Sequence, residues 1–389
     1  MKKERKGEGI LRDLKGVIDS SAKVELLVFN GGGRPRWVIP LKSKHPTFLE
    51  LYNSNTLKGG VYRTLVLVSF YFGFKRLFSS SRVYGTLSCR YKSILKKLDG
   101  TGYSVFLGTP GEDRKVIIEV NSVKGTFAYI KIPASDCAKA LIDNELKTLL
   151  ELADLKMALS QCPEVLYSDS GMIAVSNIKP LEGKNIACKG LTKLHFSSIH
   201  ERYKIFGCKE KNLLSTSLFK SCFERLKKLK ISLNNPNFSL LKELHVKLLS
   251  NINMYSSATI KTSLNHGDFT PWNMYVADEK LHIYDWELAR NDLPLLYDIF
   301  HYIFQSKTLL FSGSYSDVMD EIDVLLNERD FMRIVNEYEI DINFYLKLYV
   351  LNVACYYLPK YSEQDDLHEQ AIWLMGVWRV FLTNDLVND

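Results

Sequence analysis

The sequence predicts an α+β protein with a β-rich first half and a helical second half. Three observations carry this reading. Runs of alternating β-branched and aromatic residues, bounded by turn residues, recur from Lys23 to Ile132. Amphipathic segments of helical period dominate from Leu191 onward. With 389 residues, 46% of them hydrophobic and 24% charged, the chain has material for two or more domains.

In chain order, KVELLVFNGGGRPRWVIPL (Lys23 to Leu41) reads as two strands around Gly31, Gly32 and Gly33. It is a hairpin and not a phosphate loop, because no helix start follows the glycines to receive an anion. TLVLVSFYFGF (Thr64 to Phe74) is well short of the ~20 residues that cross a bilayer. Core strand or helix is its leading reading, and the flanking Arg63, Lys75, Arg76 and Arg82 also suit an interfacial segment on anionic lipid. Ser79 to Lys97 reads as a basic, polar link. Tyr103–Leu107, Lys115–Val120 and Thr126–Ile132 form a small antiparallel sheet, with the turn GTPGEDR after the first strand. Ser135 to Lys156 is a helix with Ser135 or Asp136 as its cap. GMIAVSNIKPLEGK (Gly171 to Lys184) is one more strand ending in a polar connection with Pro180 and Gly183. LTKLHFSSIHERYKIF, SLFKSCFERLKKLK and SLLKELHVKLLSNINMY then follow as amphipathic helices, and Phe344 to Leu382 is helical and rich in aromatics.

The formal charge of +7 permits an anionic substrate or surface without calling for nucleic acid. Seven cysteines (Cys89, Cys137, Cys162, Cys188, Cys208, Cys222 and Cys355) lie singly with no CxxC pair, which fits a reducing compartment. The basic N-terminus lacks the apolar run of a secretory signal. A cytoplasmic protein is expected, at most peripheral to the inner face of the membrane.

The chemistry concentrates in LNHGDFTPWNMYVADEKLHIYDWELA, Leu264 to Ala289. Met274–Val276 and Leu281–Tyr284 flank ADEK as a short hairpin, which brings Asn273 at its entry beside Asp285 at its exit. An amide oxygen next to a carboxylate, with few other protein ligands, suits Mg2+, which keeps waters and substrate phosphates in its remaining positions. Asp268, on the preceding loop, is placed to orient a hydroxyl. His266 reads as a hydrogen-bonding support for the loop and Trp286 as packing.

His266-Gly267-Asp268, Asn273 five residues on, and Asp285-Trp286-Glu287 together resemble the aminoglycoside phosphotransferase and choline kinase family, a branch of the protein-kinase-like fold. Pro294 and Asp298 look like that family's sequel. Protein kinases share the Asp-to-Asn spacing but follow their metal aspartate with Phe-Gly. The resemblance implies a bilobal α+β fold with a small antiparallel N-lobe sheet, a helical C-lobe and an N-terminal extension. It implies that Lys131 grips the nucleotide phosphates and Glu145 pairs with it, that Gly108 and Gly111 in GTPG form the phosphate-covering turn, and that Asn177 and Ile178 in SNIKPLEG form the hinge that meets the base. Leu191 to His195 resembles the helix after the hinge. The turn lacks the GxGxxG of protein kinases. Expected domains are 1–98 as extension, 99–183 as N-lobe with hinge and 184–389 as C-lobe.

The reaction so implied is transfer of a phosphoryl group from ATP or GTP to a hydroxyl of a small molecule, with Mg2+ as cofactor. For a choline or ethanolamine acceptor, Tyr356, Tyr357, Tyr361, Trp373 and Trp378 could build an aromatic box. For an aminoglycoside, Glu363, Asp365, Asp366 and Glu369 supply acids. A sugar or glycan is favoured, because the basic, partly apolar N-terminal segment suits an anionic membrane. A nucleotide-binding pseudokinase scaffold is the rival from another class.

Overall fold

Leu26 and Val28 pack into one apolar cluster and their neighbours Leu27 and Phe29 into another, the period-two alternation of a strand buried on both faces. The computed structural model describes residues 9–31, 33–43, 46, 49, 57–180, 184–185, 190–310, 313–364 and 367–383. It divides into two compact units, one of Met1–Ala153 with Pro163–Ile178, the other of Asp154–Cys162 with Lys179–Asp389. Gly32, Gly183, Cys188, Asp365 and Asp366, singled out in the sequence, lie outside the described residues.

The first unit holds β1 (Glu25–Gly31), β2 (Arg34–Pro40), α1 (Leu57–Tyr71), β3 (Ser81–Tyr84), α2 (Cys89–Lys97), β4 (Gly102–Phe106), β5 (Lys115–Ser122), β6 (Gly125–Pro133), α3 (Asp136–Ala153), β7 (Val165–Asp169) and β8 (Met172–Ser176). Eight strands form one antiparallel sheet in the order β7-β8-β6-β5-β4-β2-β1-β3. The expected break at 98/99 therefore does not divide the structure. Trp37 pairs with Phe106 and Val38 with Val105, so the first hundred residues extend the sheet. The physical reason is that β2 and β4 would otherwise each present an unpaired, apolar edge.

Ser79 to Lys97, expected as a link, contains β3 and α2. Tyr91 and Ile94, three residues apart, anchor α2 in the core between Arg90, Lys92, Lys96 and Lys97. The run from Thr64 is helical: Val66 and Phe70 pack on the sheet with Leu27, Phe29, Trp37 and Ile39. Among the described residues no helix is long and apolar enough to cross a membrane.

The second unit contains α4 (Lys193–Phe206), α5 (Ser217–Lys228), α6 (Phe238–Met254), β9 (Thr259–Asn265), the hairpin β10–β11 (Met274–Ala277 and Lys280–Ile283), β12 (Arg290–Pro294), α7 (Tyr297–Gln305), α8 (Tyr315–Leu326), α9 (Arg329–Glu337), α10 (Ile342–Ser362) and α11 (Glu369–Thr383). The chain passes between units at 178/179, five residues before the expected boundary, and residues 154–162 belong to the second unit, where Ser160 and Gln161 pair parallel with Leu281 and His282. The hairpin register is Met274 to Ile283 through Ala277 to Lys280, closed by Asp278 and Glu279 with φ of +50° and +59°. Tyr284 falls outside β11, because Asp285 turns the backbone into the left-handed region.

Candidate active site

Gly267 has φ of +83°, and a Cβ there would lie 2.3 Å from Leu288 O, so only glycine lets the loop before Asp268 run against the segment after Asp285. Buried Asp298 on α7 accepts the backbone N–H groups of His266 (2.8 Å) and Gly267 (3.0 Å), and Arg202 on α4 donates to it at 2.8 Å. The Arg202 guanidinium lies over Phe269 and Trp286 at 5.3 and 5.6 Å from their ring centroids. His266 is fully buried, which lowers its pKa despite the nearby Asp298 and Asp268 carboxylates. Its Nδ1 accepts the Asp268 N–H (3.2 Å), so the proton sits on Nε2, which donates to Tyr284 O (3.1 Å). His266 thus ties the loop to the strand end ahead of Asp285.

Asp268 keeps a side chain 29% exposed, with each carboxylate oxygen held by one donor. Asn273 Nδ2 reaches Oδ2 at 2.8 Å, and His301 Nε2 on α7 reaches Oδ1 at 3.0 Å. His301 Nδ1 in turn accepts from Tyr349 OH on α10 (3.2 Å). A carboxylate fixed in this way presents one orientation to an incoming hydroxyl and stays reachable from solvent.

Asn273 and Asp285 meet as the hairpin requires: Tyr284 N–H donates to Asn273 O at 3.1 Å. Because the Asn273 amide nitrogen faces Asp268, its Oδ1 is the atom left to a ligand. Asp285 adopts φ of +70°, an αL backbone that costs an L residue about 1–2 kcal/mol and recurs at functional sites. A Glu287 carboxylate oxygen lies within 4.8 Å of one from Asp285. Hard oxygen donors of this kind fit magnesium.

In the first unit, Lys131 on β6 gives two 2.7 Å contacts to Glu145 on α3, whose side chain is completely buried. Gly108 has φ of +75° and a Cβ there would sit 2.1 Å from Lys115 O, while Gly111 has φ of +148° over open space. Arg36 donates to Gly108 O (3.2 Å) and Thr109 Oγ1 (3.1 Å), and Arg114 to Leu107 O (2.9 Å), so two guanidinium groups pin the GTPG turn. Ile178 is buried at the end of this unit. Asn177 uses its backbone N–H on Phe127 O (2.7 Å) and its side-chain amide on Thr126 O (2.8 Å). It clamps the strand end, and those donors are engaged with the sheet instead of facing a base.

His301, Tyr349, Arg202 and Arg36 were not singled out in the sequence. Each meets its partners through a non-local contact within its own unit, and only the helical spacing of Asp298 and His301 hints at the first. Of the five aromatics considered for a cationic acceptor, Tyr356, Tyr357, Tyr361 and Trp378 form a chain of ring contacts, with Tyr356 edge-on to Tyr357 at 4.9 Å and Tyr357 stacked on Tyr361 at 5.7 Å, and only Trp373 stands apart. Tyr361 stacks on fully buried Trp378 (6.2 Å, 13°), whereas Trp373 is 45% exposed on a separate surface groove.

No family model matches the chain, and no curated protein sequence matches it. Its fold is similar to that of the choline kinase LicA from Streptococcus pneumoniae, at 13% identity and a TM-score of 0.47 over 76% of this chain and 98% of that one. It is also similar to a streptomycin–ATP ternary complex of APH(2")-IIa, at 13% identity and a TM-score of 0.42 over 75% of this chain and 96% of that one. A choline/ethanolamine kinase family protein from Mesorhizobium loti gives 12% identity and a TM-score of 0.42, over 75% and 93%. The functional reading rests on the chain's own residues.

Proposed function

We propose that the protein is a magnesium- and ATP- or GTP-dependent phosphotransferase acting on a hydroxyl of a sugar or glycan. The observation that carries this is Asp268, held through both carboxylate oxygens by Asn273 and His301 on a loop that leads directly into the Asn273–Asp285 hairpin. Asp268 orients the acceptor hydroxyl and takes up its proton at a carboxylate oxygen. Asn273 Oδ1 and the Asp285 carboxylate, with Glu287 beside it, would hold magnesium. Bound there, the metal supplies charge neutralisation on the phosphate oxygens. Lys131, braced by Glu145, offers a cation to the nucleotide, and the Gly108–Gly111 turn and Ile178 offer backbone to its phosphates and base.

The test is phosphate transfer from magnesium ATP or GTP to a panel of hydroxyl compounds. Asp268→Asn is expected to lower turnover by about 10²-fold or more while nucleotide still binds. A wild-type protein that binds nucleotide, transfers nothing and matches Asp268→Asn would be a pseudokinase scaffold.

We further propose peripheral contact with an anionic membrane, which would suit a glycan acceptor. On α1, the stripe opposite Val66 and Phe70 is also apolar: Val61, Leu65 and Val68, continued by Phe72, are 53, 48, 47 and 63% exposed. Residues 51 to 98 include nine Lys and Arg and no acid, although Arg76 and Arg82 share Glu25 at 2.6 and 3.5 Å. Apolar anchors with a basic surround suit anionic headgroups. Flotation with phosphatidylglycerol vesicles should recover the protein, less so at high salt, and Leu65→Glu with Val68→Glu should abolish recovery. Equal behaviour with neutral vesicles would sink this part.

A further inference from the structure

On the His301 side of Asp268 the second unit holds a half-open cavity of about 20 Å³, lined among others by Tyr297, His301, Asn352, Tyr356, Tyr357 and Arg290. That is room for one water-sized group, since about 10–15 Å³ suffices. It is a socket for the edge of a molecule, too small for a whole one.

Asn352, on α10, is 1% exposed, and neither its Oδ1 nor its Nδ2 has a hydrogen-bond partner among the described residues. Buried polar atoms are almost always paired, so a carboxamide left open on both sides at a cavity wall points to a partner that comes from outside the chain. The amide offers one acceptor and two donors. A hydroxyl, which both donates and accepts, matches it; an ammonium group can answer only Oδ1.

The charges around the cavity sharpen this. Among the described residues that line it there is no carboxylate, whereas Arg290 is one of them. Of the tyrosines that could receive a cation, Tyr356 already has Lys360 Nζ 4.2 Å from its ring centroid and 3.0 Å from its hydroxyl. A positive acceptor group in the cavity would meet two like charges, and the Asp268 carboxylate that His301 reaches is already held by that imidazole and by Asn273.

Resting on the phosphotransferase reading above, we infer that this cavity receives a hydroxyl of the acceptor beside the one phosphorylated, that Asn352 reads it, and that the acceptor is a neutral or anionic polyhydroxylated compound and not an amine. Arg290 favours acceptors that carry a carboxylate or phosphate.

The probes are glucose, glucuronate, glucosamine and choline, each with magnesium nucleotide and purified full-length protein. Glucuronate and glucose should be phosphorylated with kcat/KM at least about tenfold above glucosamine and choline. Asn352→Leu, similar in size, should raise KM for glucose about tenfold with a smaller change in kcat. Arg290→Gln, at a partly exposed position where misfolding is not a concern, should erase the advantage of glucuronate over glucose. Preference for glucosamine or choline, or an unchanged KM in Asn352→Leu because the cavity holds only an ordered water, would overturn the inference and leave the kinase reading standing. If no probe accepts phosphate, acceptor-independent nucleotide hydrolysis decides: hydrolysis that Asp268→Asn removes would overturn the socket alone, and its absence from the wild type would overturn both.

Discussion

Among the described residues each unit holds a buried ion pair, Arg202–Asp298 in the second and Lys131–Glu145 in the first, and the two are built differently. Arg202 and Asp298 are both sealed at 0% side-chain exposure, and Asp298 also holds two loop N–H groups. Lys131 remains 11% exposed and projects from a strand of the sheet. Arg202 Nε and Nη1 have no hydrogen-bond partner and lie against aromatic faces. The first arrangement fixes a shape, and the second keeps a charge at the rim of a surface where an outside anion can share it. Burial of a pair therefore does not reveal its purpose; what else hangs on the pair does.

Breaking the sealed pair should have the largest effect. Asp298→Ala strands the Arg202 charge and two backbone donors, for an expected loss of about 3–5 kcal/mol in denaturant unfolding. Glu145→Gln should cost the fold far less, about 1 kcal/mol or under by the same melt, because a neutral oxygen still accepts from Lys131. A similar loss in both variants would erase the distinction between the pairs.

Acid should weaken the second unit next. Burial lowers the His195 pKa from 6.5 to about 4, so the unfolded chain binds the extra proton first as pH falls. Stability is then complete above about pH 6.5 and is lost toward pH 4, with about 2 kcal/mol gone between pH 7 and pH 5. His266 shifts in the same direction by burial and adds to the effect. Unfolding midpoints at the two pH values check this, and a flat profile would contradict the buried neutral imidazoles.

The smallest effect belongs to the rim pair. Lys131→Met should weaken magnesium nucleotide binding by about tenfold, the worth of one charge-assisted hydrogen bond, and Glu145→Gln by less. Calorimetric titration measures both, and unchanged affinity in Lys131→Met would remove the lysine from the nucleotide site.

The parts legible in the sequence were those fixed by local rules. A tight turn between two short apolar runs forces Asn273 and Asp285 together, whereas Lys131 and Glu145, fourteen residues apart, came out as partners only through the family resemblance and not from strand or helix period. Three kinds of feature were not legible. The joining of β2 to β4 depends on two strands about seventy residues apart having matched apolar faces. The basic residues of α2 mask a two-residue apolar anchor that only tertiary contact reveals. His301 sits in a helix buried along its length, and Tyr349 and Asn352 in the stretch Tyr345–Cys355 of α10 that is buried all round, so no single buried stripe marks which polar atom faces the site.

The hairpin tip offers an engineering handle. Asp278 and Glu279 both carry positive φ with no glycine between the strands, so each tolerates a backbone that costs an L residue about 1–2 kcal/mol. Asn-Gly is the pair this geometry favours. Asp278→Asn with Glu279→Gly should raise the melting temperature by a few degrees while changing no residue of the candidate site, giving a sturdier background in which the costlier variants above can still be purified.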